Sequence, residues 1–139
     1  MGVIEHFYYG YDDILEEAHR VIKPQGIFFL AFPCMSIFRR IKSRLNLYET
    51  WDRKDDEGFY QFALDQNEVV KKLENLGFEI LNTKGLDGLK GLKDELSFAS
   101  GVLSKIYNAK TLILKIVRAL LIYPLNFFSN HSILVIARK

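Results

Sequence analysis

One stretch of the chain decides its fold: Gly26-Ile27-Phe28-Phe29-Leu30-Ala31-Phe32-Pro33, which contains no polar side chain. A strand without polar alternation is covered on both faces, as in the centre of a parallel α/β sheet. The sequence therefore predicts a buried strand from Ile27 to Phe32. Because the chain has few other strand-like segments, it offers too few strands to flank this one on both sides.

An amphipathic helix precedes that strand. Its apolar residues recur at helical spacing, namely Ile14, Leu15, Ala18, Val21 and Ile22. Acidic residues lie early and basic residues late, as the helix dipole favours. Pro24 and Gly26 end the helix, and the strand follows at once. A helix joined directly to a buried strand predicts an α/β fold.

The middle of the chain predicts a second helix, a third helix and a second strand. The basic, amphipathic segment from Ile37 to Leu45 is the second helix, and its Arg39 and Arg40 form either a solvated face or a contact for an anionic substrate. Asp65 caps the third helix, which Gly77 ends. The strand from Phe78 to Thr83 has mixed polarity, which is typical of a sheet edge.

The last third of the chain predicts a loop, two helical pieces and a final strand. Residues 86–93 are rich in glycine and are interpreted as the loop. Residues 93–128 are helical with a division near Asn108, and Pro124 is expected to close the apolar second piece. That piece is shorter than the ~20 apolar residues that span a bilayer. It is either buried or lies on a membrane surface, and a buried strand from Ser132 to Ala137 follows.

Composition, net charge and cysteine content limit the kinds of protein that this chain can be. The 139 residues are 49% hydrophobic, which is sufficient for one domain with a core. The net charge of +2 is too small to indicate binding of nucleic acid. A single cysteine, Cys34, excludes an internal disulfide and indicates a reducing cytoplasm. The start of the sequence lacks the pattern of a signal peptide.

Four segments together match one family in order and spacing. They are Gly2-Val3-Ile4-Glu5-His6-Phe7, the helix and turn from Ile14 to Gly26, the aromatic run Phe59-Tyr60-Gln61-Phe62-Ala63-Leu64 with the helix after it, and His131 to Lys139. In these segments the chain resembles the C-terminal half of class I methyltransferases that use S-adenosylmethionine. The family's Gly-x-Gly-x-Gly cofactor turn does not occur in the sequence.

The resemblance implies an α/β fold, the C-terminal part of a Rossmann-like methyltransferase sheet with flanking helices. The three predicted strands would be the family's fifth, sixth and seventh, lying side by side in the order 5-7-6 with the seventh antiparallel. Residues 1–139 would form a single partial methyltransferase domain. Residues 86–130 would be a helical insertion between the last two strands.

The resemblance also implies a site. His6 would be the catalytic base at the mouth of the cofactor pocket, and the residues implied to bind the cofactor are Val3, Ile4 and Glu5. In the alternative interpretation, Glu5 and His6 only line the cleft. A lid over the acceptor would consist of Trp51, Tyr60 and Phe62, which otherwise serve as core. No metal is expected, because Glu5 and His6 supply only two ligands.

The expected function is transfer of a methyl group from S-adenosylmethionine to an unknown acceptor, either a small molecule or a lipid- or glycan-linked group. Because the cofactor turn is missing, the chain is expected to be truncated and weakly active or inactive. One alternative is a noncatalytic interaction module whose open edge at Ile27 to Phe32 pairs with another chain to form an oligomer. Another is a cytoplasmic protein that contacts the membrane peripherally through helix 111–128.

Overall fold

A computed structural model describes residues 2–48, 60–96, 99–108 and 110–139 of the chain. The elements, in chain order, are a 3-10 turn (Ile4–His6), α1 (Asp12–Val21), β1 (Ile27–Pro33), α2 (Ile37–Arg44), α3 (Gln66–Asn75), β2 (Glu79–Leu86), α4 (Gly88–Glu95), α5 (Ser100–Tyr107), α6 (Leu112–Phe128) and β3 (Ser132–Arg138). The α/β class predicted from the sequence is confirmed. Trp51 lies outside the described residues.

The chain divides into two compact units. The first, called the sheet unit, consists of Met1–Met35, Glu49–Lys84 and Ile133–Lys139. The second, called the helical unit, consists of Ser36–Tyr48 and Gly85–Ser132. Helices α4, α5 and α6 follow β2 in the chain and precede β3.

The sheet has three strands in the spatial order β1-β3-β2. The amide of Gln25 donates to the carbonyl of Lys139 at 2.8 Å, so the start of β1 meets the end of β3. The amide of His131 donates to the carbonyl of Leu86 at 3.0 Å, so the end of β2 meets the start of β3. The middle strand is therefore antiparallel to both neighbours. The mixed strand β2 lies at an edge, as its polarity predicted.

One apolar core holds the sheet unit together. Its buried members lie in, or directly beside, the first turn, α1, β1, α3, β2 and β3: Ile4, Tyr11, Leu15, Leu30, Phe32, Cys34, Val69, Leu73, Phe78, Ile133, Val135 and Ala137. Successive side chains of a strand point to opposite faces of the sheet. Every second residue of β3 is therefore in this core, and the residues between them are half-buried.

The prediction that β1 is buried on both faces is wrong. Leu30 and Phe32 are in the core, but Phe29 is 63% exposed and Ile27 is 44% exposed. Successive side chains of a strand point to opposite faces, so Ile27 and Phe29 lie on the face of β1 opposite Leu30 and Phe32, and the described residues leave that face largely exposed. The uniform burial predicted for the last strand is also wrong, because the face of β3 that points away from the core is only half-buried.

The helices largely agree with the sequence. The predictions of α1, α2 and α3 are confirmed, and the side chain of Asp65 caps α3 by accepting from the amide of Asn67 at 2.8 Å. The division near Asn108 is also confirmed, since α5 ends at Tyr107 and α6 begins at Leu112. Pro124, however, lies inside α6 and does not end it.

The predicted loop over residues 86–93 is also wrong, because most of this segment forms α4. Tertiary contacts outweigh its low helix propensity. The amide of Gly88 donates to Oδ1 of Asn126 at 2.8 Å, and the hydroxyl of Ser129 donates to the carbonyl of Gly88 at 2.9 Å. These partners come from the end of α6 and the residue after it, which lie 38 and 41 positions away and give no local signal.

Candidate functional site

A short segment, residues 60–64, lies beside the end of β1 and is called the strap. The amide of Leu64 donates to the carbonyl of Pro33, and the amide of Met35 donates to the carbonyl of Leu64, both at 2.9 Å. The amide of Phe62 donates to the carbonyl of Glu5 at 2.9 Å. These three bonds join the strap both to the first turn and to the sheet.

The strap fixes the imidazole of His6. Its Nδ1 lies 2.6 Å from the carbonyl oxygen of Tyr60, and the two rings meet edge to face with centroids 5.3 Å apart. Because a carbonyl oxygen only accepts, Nδ1 carries the proton in this contact. In the neutral ring, Nε2 therefore holds the lone pair. The His6 side chain is partly exposed, so this nitrogen is placed to accept a proton from a bound molecule.

Glu5 lies beneath His6 and is buried, with 4% of the residue exposed. Its Oε1 lies 3.7 Å from Nε2 of His6. Its Oε2 has no hydrogen-bond partner among the described residues. A Cβ atom on Gly2 would collide with this carboxylate, so the glycine makes the room that Glu5 occupies. A buried carboxylate oxygen without a donor is costly, and such atoms cluster at functional sites.

The structure brings together four of the predicted site residues: Glu5, His6, Tyr60 and Phe62. Sequence reasoning missed a fifth member of the cluster, Tyr8, whose ring stacks on that of Phe62 with centroids 6.0 Å apart. Only its position two residues after His6 in an aromatic run could have indicated it.

Val3 and Ile4 adjoin this cluster through the backbone, since the carbonyl of Val3 accepts from the amide of His6 at 3.2 Å, but no described side-chain contact joins them to it. The Ile4 side chain belongs to the core, while Val3 is partly exposed and precedes the 3-10 turn. Trp51, the third predicted lid residue, lies outside the described residues. The lid prediction therefore stays open for that position.

A second polar cluster lies in the helical unit around Glu95. Its carboxylate accepts from Nε of Arg39 at 2.8 Å, from Nζ of Lys42 at 2.8 Å and from the hydroxyl of Tyr48 at 2.7 Å. Burial opposes ionisation of Glu95, but these three hydrogen bonds outweigh it and lower the Glu95 pKa. Arg39 thus holds an internal carboxylate, which gives this arginine a structural role.

His131 lies at the rim of the same cluster. Its Nε2 accepts from Nζ of Lys90 at 3.1 Å, and its Nδ1 lies 3.4 Å from Nη2 of Arg39 and 3.6 Å from Oδ2 of Asp94. Burial, followed by the charges of Lys90 and Arg39, lowers the pKa of His131. The imidazole is therefore neutral at pH 7 and is part of the polar packing of this unit.

The described residues contain no group of three or more histidine, cysteine, aspartate or glutamate side chains placed to hold a metal ion. No model of a known protein family matches the chain, and no curated protein matches it. The site is therefore interpreted from its own residues and from the resemblance of its segments.

Proposed function

We propose that the sheet unit carries the acceptor side of a methyltransferase that uses S-adenosylmethionine, with His6 as its catalytic base. One observation carries this proposal: the carbonyl of Tyr60 holds the proton of His6 on Nδ1, which leaves Nε2 as the accepting nitrogen. A methyl acceptor with a weakly acidic hydroxyl or amine must lose a proton, and a positioned imidazole removes it. The acceptor is a small molecule or a lipid- or glycan-linked group.

The strand arrangement supports the finer, Rossmann-like assignment. The described order β1-β3-β2, with an antiparallel middle strand, is the one that the resemblance implies for the family's fifth, seventh and sixth strands. The polar strand β2 lies at the edge that the sixth strand would occupy. The exposed apolar side chains of β1, Ile27 and Phe29, suit a strand that has a further covering element in the complete family sheet.

The cofactor would supply a methyl group on a sulfonium centre. The residue suited to hold it is Glu5, because its unpartnered Oε2 fits an N–H or O–H donor or a positive charge. Glu5 also faces the imidazole, so a proton taken up by His6 gains a negative partner at 3.7 Å. The strap then keeps the ring in one orientation, which is the positioning that such a transfer requires.

Binding of the cofactor by these 139 residues is expected to be weak, since they contain no Gly-x-Gly-x-Gly turn. The chain by itself is accordingly proposed to be weakly active or inactive. A cytoplasmic location accords with its buried cysteine, Cys34, which forms no disulfide.

The test is a titration of the 15N-labelled chain with S-adenosylhomocysteine, followed by NMR. We expect amide shifts at residues 3–6 and 60–62 that saturate only at millimolar concentrations. His6→Gln and Glu5→Gln should reduce these shifts. The matched control is His19→Gln, because His19 packs on Phe78 in the same unit but outside the site. Shifts confined to other residues, or none at all, would contradict the proposal, and micromolar affinity would contradict the expected weak binding.

A second candidate function, a noncatalytic interaction module, is supported by the edge position of β1. In the described part of the chain, the strap pairs with Pro33 at the end of this strand and with Met35 just after it. Ile27 and Phe29 lie nearer its start and are exposed. An apolar edge strand is a template for pairing with another chain. Light scattering tests this: an oligomer that Phe29→Lys converts to a monomer supports the module, and a monomer at high concentration argues against it.

A further inference from the structure

One side of α6 carries an apolar stripe: Leu112, Ile116, Leu120, Tyr123 and Phe127. These residues follow each other at steps of three or four, so they lie on one side of the helix. Their exposed fractions range from 51% to 86%. Isolated exposed apolar residues are ordinary, but a contiguous row of five large ones marks a contact surface.

The other side of α6 is occupied within the helical unit. Leu114, Val117 and Leu125 are half-buried, and the backbone at Leu125 and Asn126 approaches Gly88 of α4 so closely that a Cβ there would collide with it. The stripe is therefore the side of this helix that the described residues of its own unit leave uncovered.

Along the segment that contains α5 and α6, the charged side chains have one sign. Residues 96–131 contain four basic side chains and no acidic one: Lys105, Lys110, Lys115 and Arg118. The three lysines are exposed. Lys105 and Lys110 also line an open groove of about 450 Å³ near the start of α6, together with Ser104, Asn108 and Leu114. An apolar stripe flanked by cations suits a surface that is both apolar and anionic.

We propose that the stripe of α6 docks on the surface of an anionic lipid bilayer. The five apolar side chains would enter the boundary between head groups and acyl chains, and the lysines would reach the phosphates and carboxylates of the lipid head groups. A second copy of the chain is a poorer partner, because this segment would meet four like charges and no carboxylate. Among the described residues no single helix is long and apolar enough to cross a membrane.

Co-sedimentation with vesicles tests this docking surface. We expect the chain to bind vesicles of phosphatidylcholine with 30% phosphatidylserine more tightly than vesicles of phosphatidylcholine alone. Leu120→Glu should weaken that binding at least about tenfold, because it removes a leucine that the bilayer would bury and adds a negative charge. The double variant Lys110→Gln and Lys115→Gln should weaken it about fivefold per cation.

The matched control is Leu47→Glu. Leu47 belongs to the same unit and has a similar exposure, 61% against 72% for Leu120, but it lies outside the stripe. This variant should bind vesicles like the unchanged chain, and circular dichroism should show that both leucine variants are folded. Equal losses in the two variants, or no binding of the unchanged chain to either vesicle, would overturn the proposal.

Two further outcomes separate this surface from other roles. If light scattering shows a dimer that Leu120→Glu dissociates, and vesicles do not bind, the stripe joins copies of the chain and the bilayer is excluded. The titration with S-adenosylhomocysteine reports on Glu5 and His6 in the sheet unit. Its failure therefore leaves the vesicle result standing, and failure of vesicle binding leaves the titration unaffected.

Discussion

The two units of the chain differ in the interactions that stabilise each of them internally. Among its described residues, the sheet unit has a buried cluster of twelve side chains, nearly all of them apolar. In the described part of the helical unit, the buried residues include Leu89 but are otherwise small or polar, such as Gly88, Gly91 and Ser129. That unit depends on close backbone approach and on hydrogen bonds around Glu95. The same kind of substitution should therefore have different effects in the two units.

Leu73→Ala should give the largest effect. Leu73 is fully buried in the core of the sheet unit, so its truncation leaves a cavity and should cost about 3 kcal/mol of unfolding free energy. Urea denaturation measures this loss. The matched control, Leu120→Ala on the exposed side of α6, should change stability by less than about 0.5 kcal/mol. Similar losses at both positions would remove the contrast between the units.

Gly91→Ala probes the helical unit in the opposite way, by adding an atom. A Cβ on Gly91 would collide with the carbonyl oxygen of Ser129, so this substitution should cost about 2 kcal/mol. Gly101→Ala is the control, because a Cβ there meets nothing within 4 Å. Since Gly101 lies within α5, alanine should stabilise it by about 0.5 to 1 kcal/mol. Thermal unfolding should show shifts of opposite sign, and shifts of the same sign would contradict this packing.

The sequence could predict only part of the fold, and the helix that contains Gly91 was not among the predicted elements. Periodic apolar residues identified α1, α3 and the strands, because core burial leaves a local pattern in the sequence. The helix α4 was missed because its support comes from Asn126 and Ser129, which are distant in sequence. The exposure of Phe29 was missed because an apolar run does not show whether other elements cover both faces of the strand.

Glu95→Gln should give an intermediate effect. Its pKa is lowered from the ordinary value of 4.5, so the folded state binds the proton less readily than the unfolded state does. The resulting stability is complete above about pH 5 and is lost as the pH falls through the lowered pKa. At pH 7 the substitution should cost about 1 to 3 kcal/mol, the range for a hydrogen-bonded charge. In the variant, stability should fall less steeply in acid, which urea denaturation at several pH values measures.

His131→Gln should give the smallest effect, and only in mild acid. The pKa of His131 is lowered from 6.5, so the unfolded state binds the proton more readily. Stability is therefore highest above pH 6.5 and falls as the pH drops through that value towards the lowered pKa. The variant should lose less stability between pH 7 and pH 5 than the unchanged chain. An identical slope in both would contradict the lowering of the His131 pKa by burial and by the charges of Lys90 and Arg39.

The candidate site was predicted in part. The sequence analysis singled out the adjacent residues Glu5 and His6 and the aromatic pair Tyr60 and Phe62. The structure brings these four residues together. The sequence could not indicate how they meet, because the amide of Phe62 and the carbonyl of Tyr60 make the connections. Backbone groups are the same at every position, so no residue pattern marks them.

The geometry of the proposed site depends most on the strap being held against Glu5 and the end of β1. Hydrogen exchange measured by NMR on the free chain tests this directly. The amides of Phe62 and Leu64, which donate to the carbonyls of Glu5 and Pro33, should exchange nearly as slowly as the sheet amides of β3. If both exchange at the rate of an unstructured peptide, the strap does not fix His6 and the proposed site is contradicted.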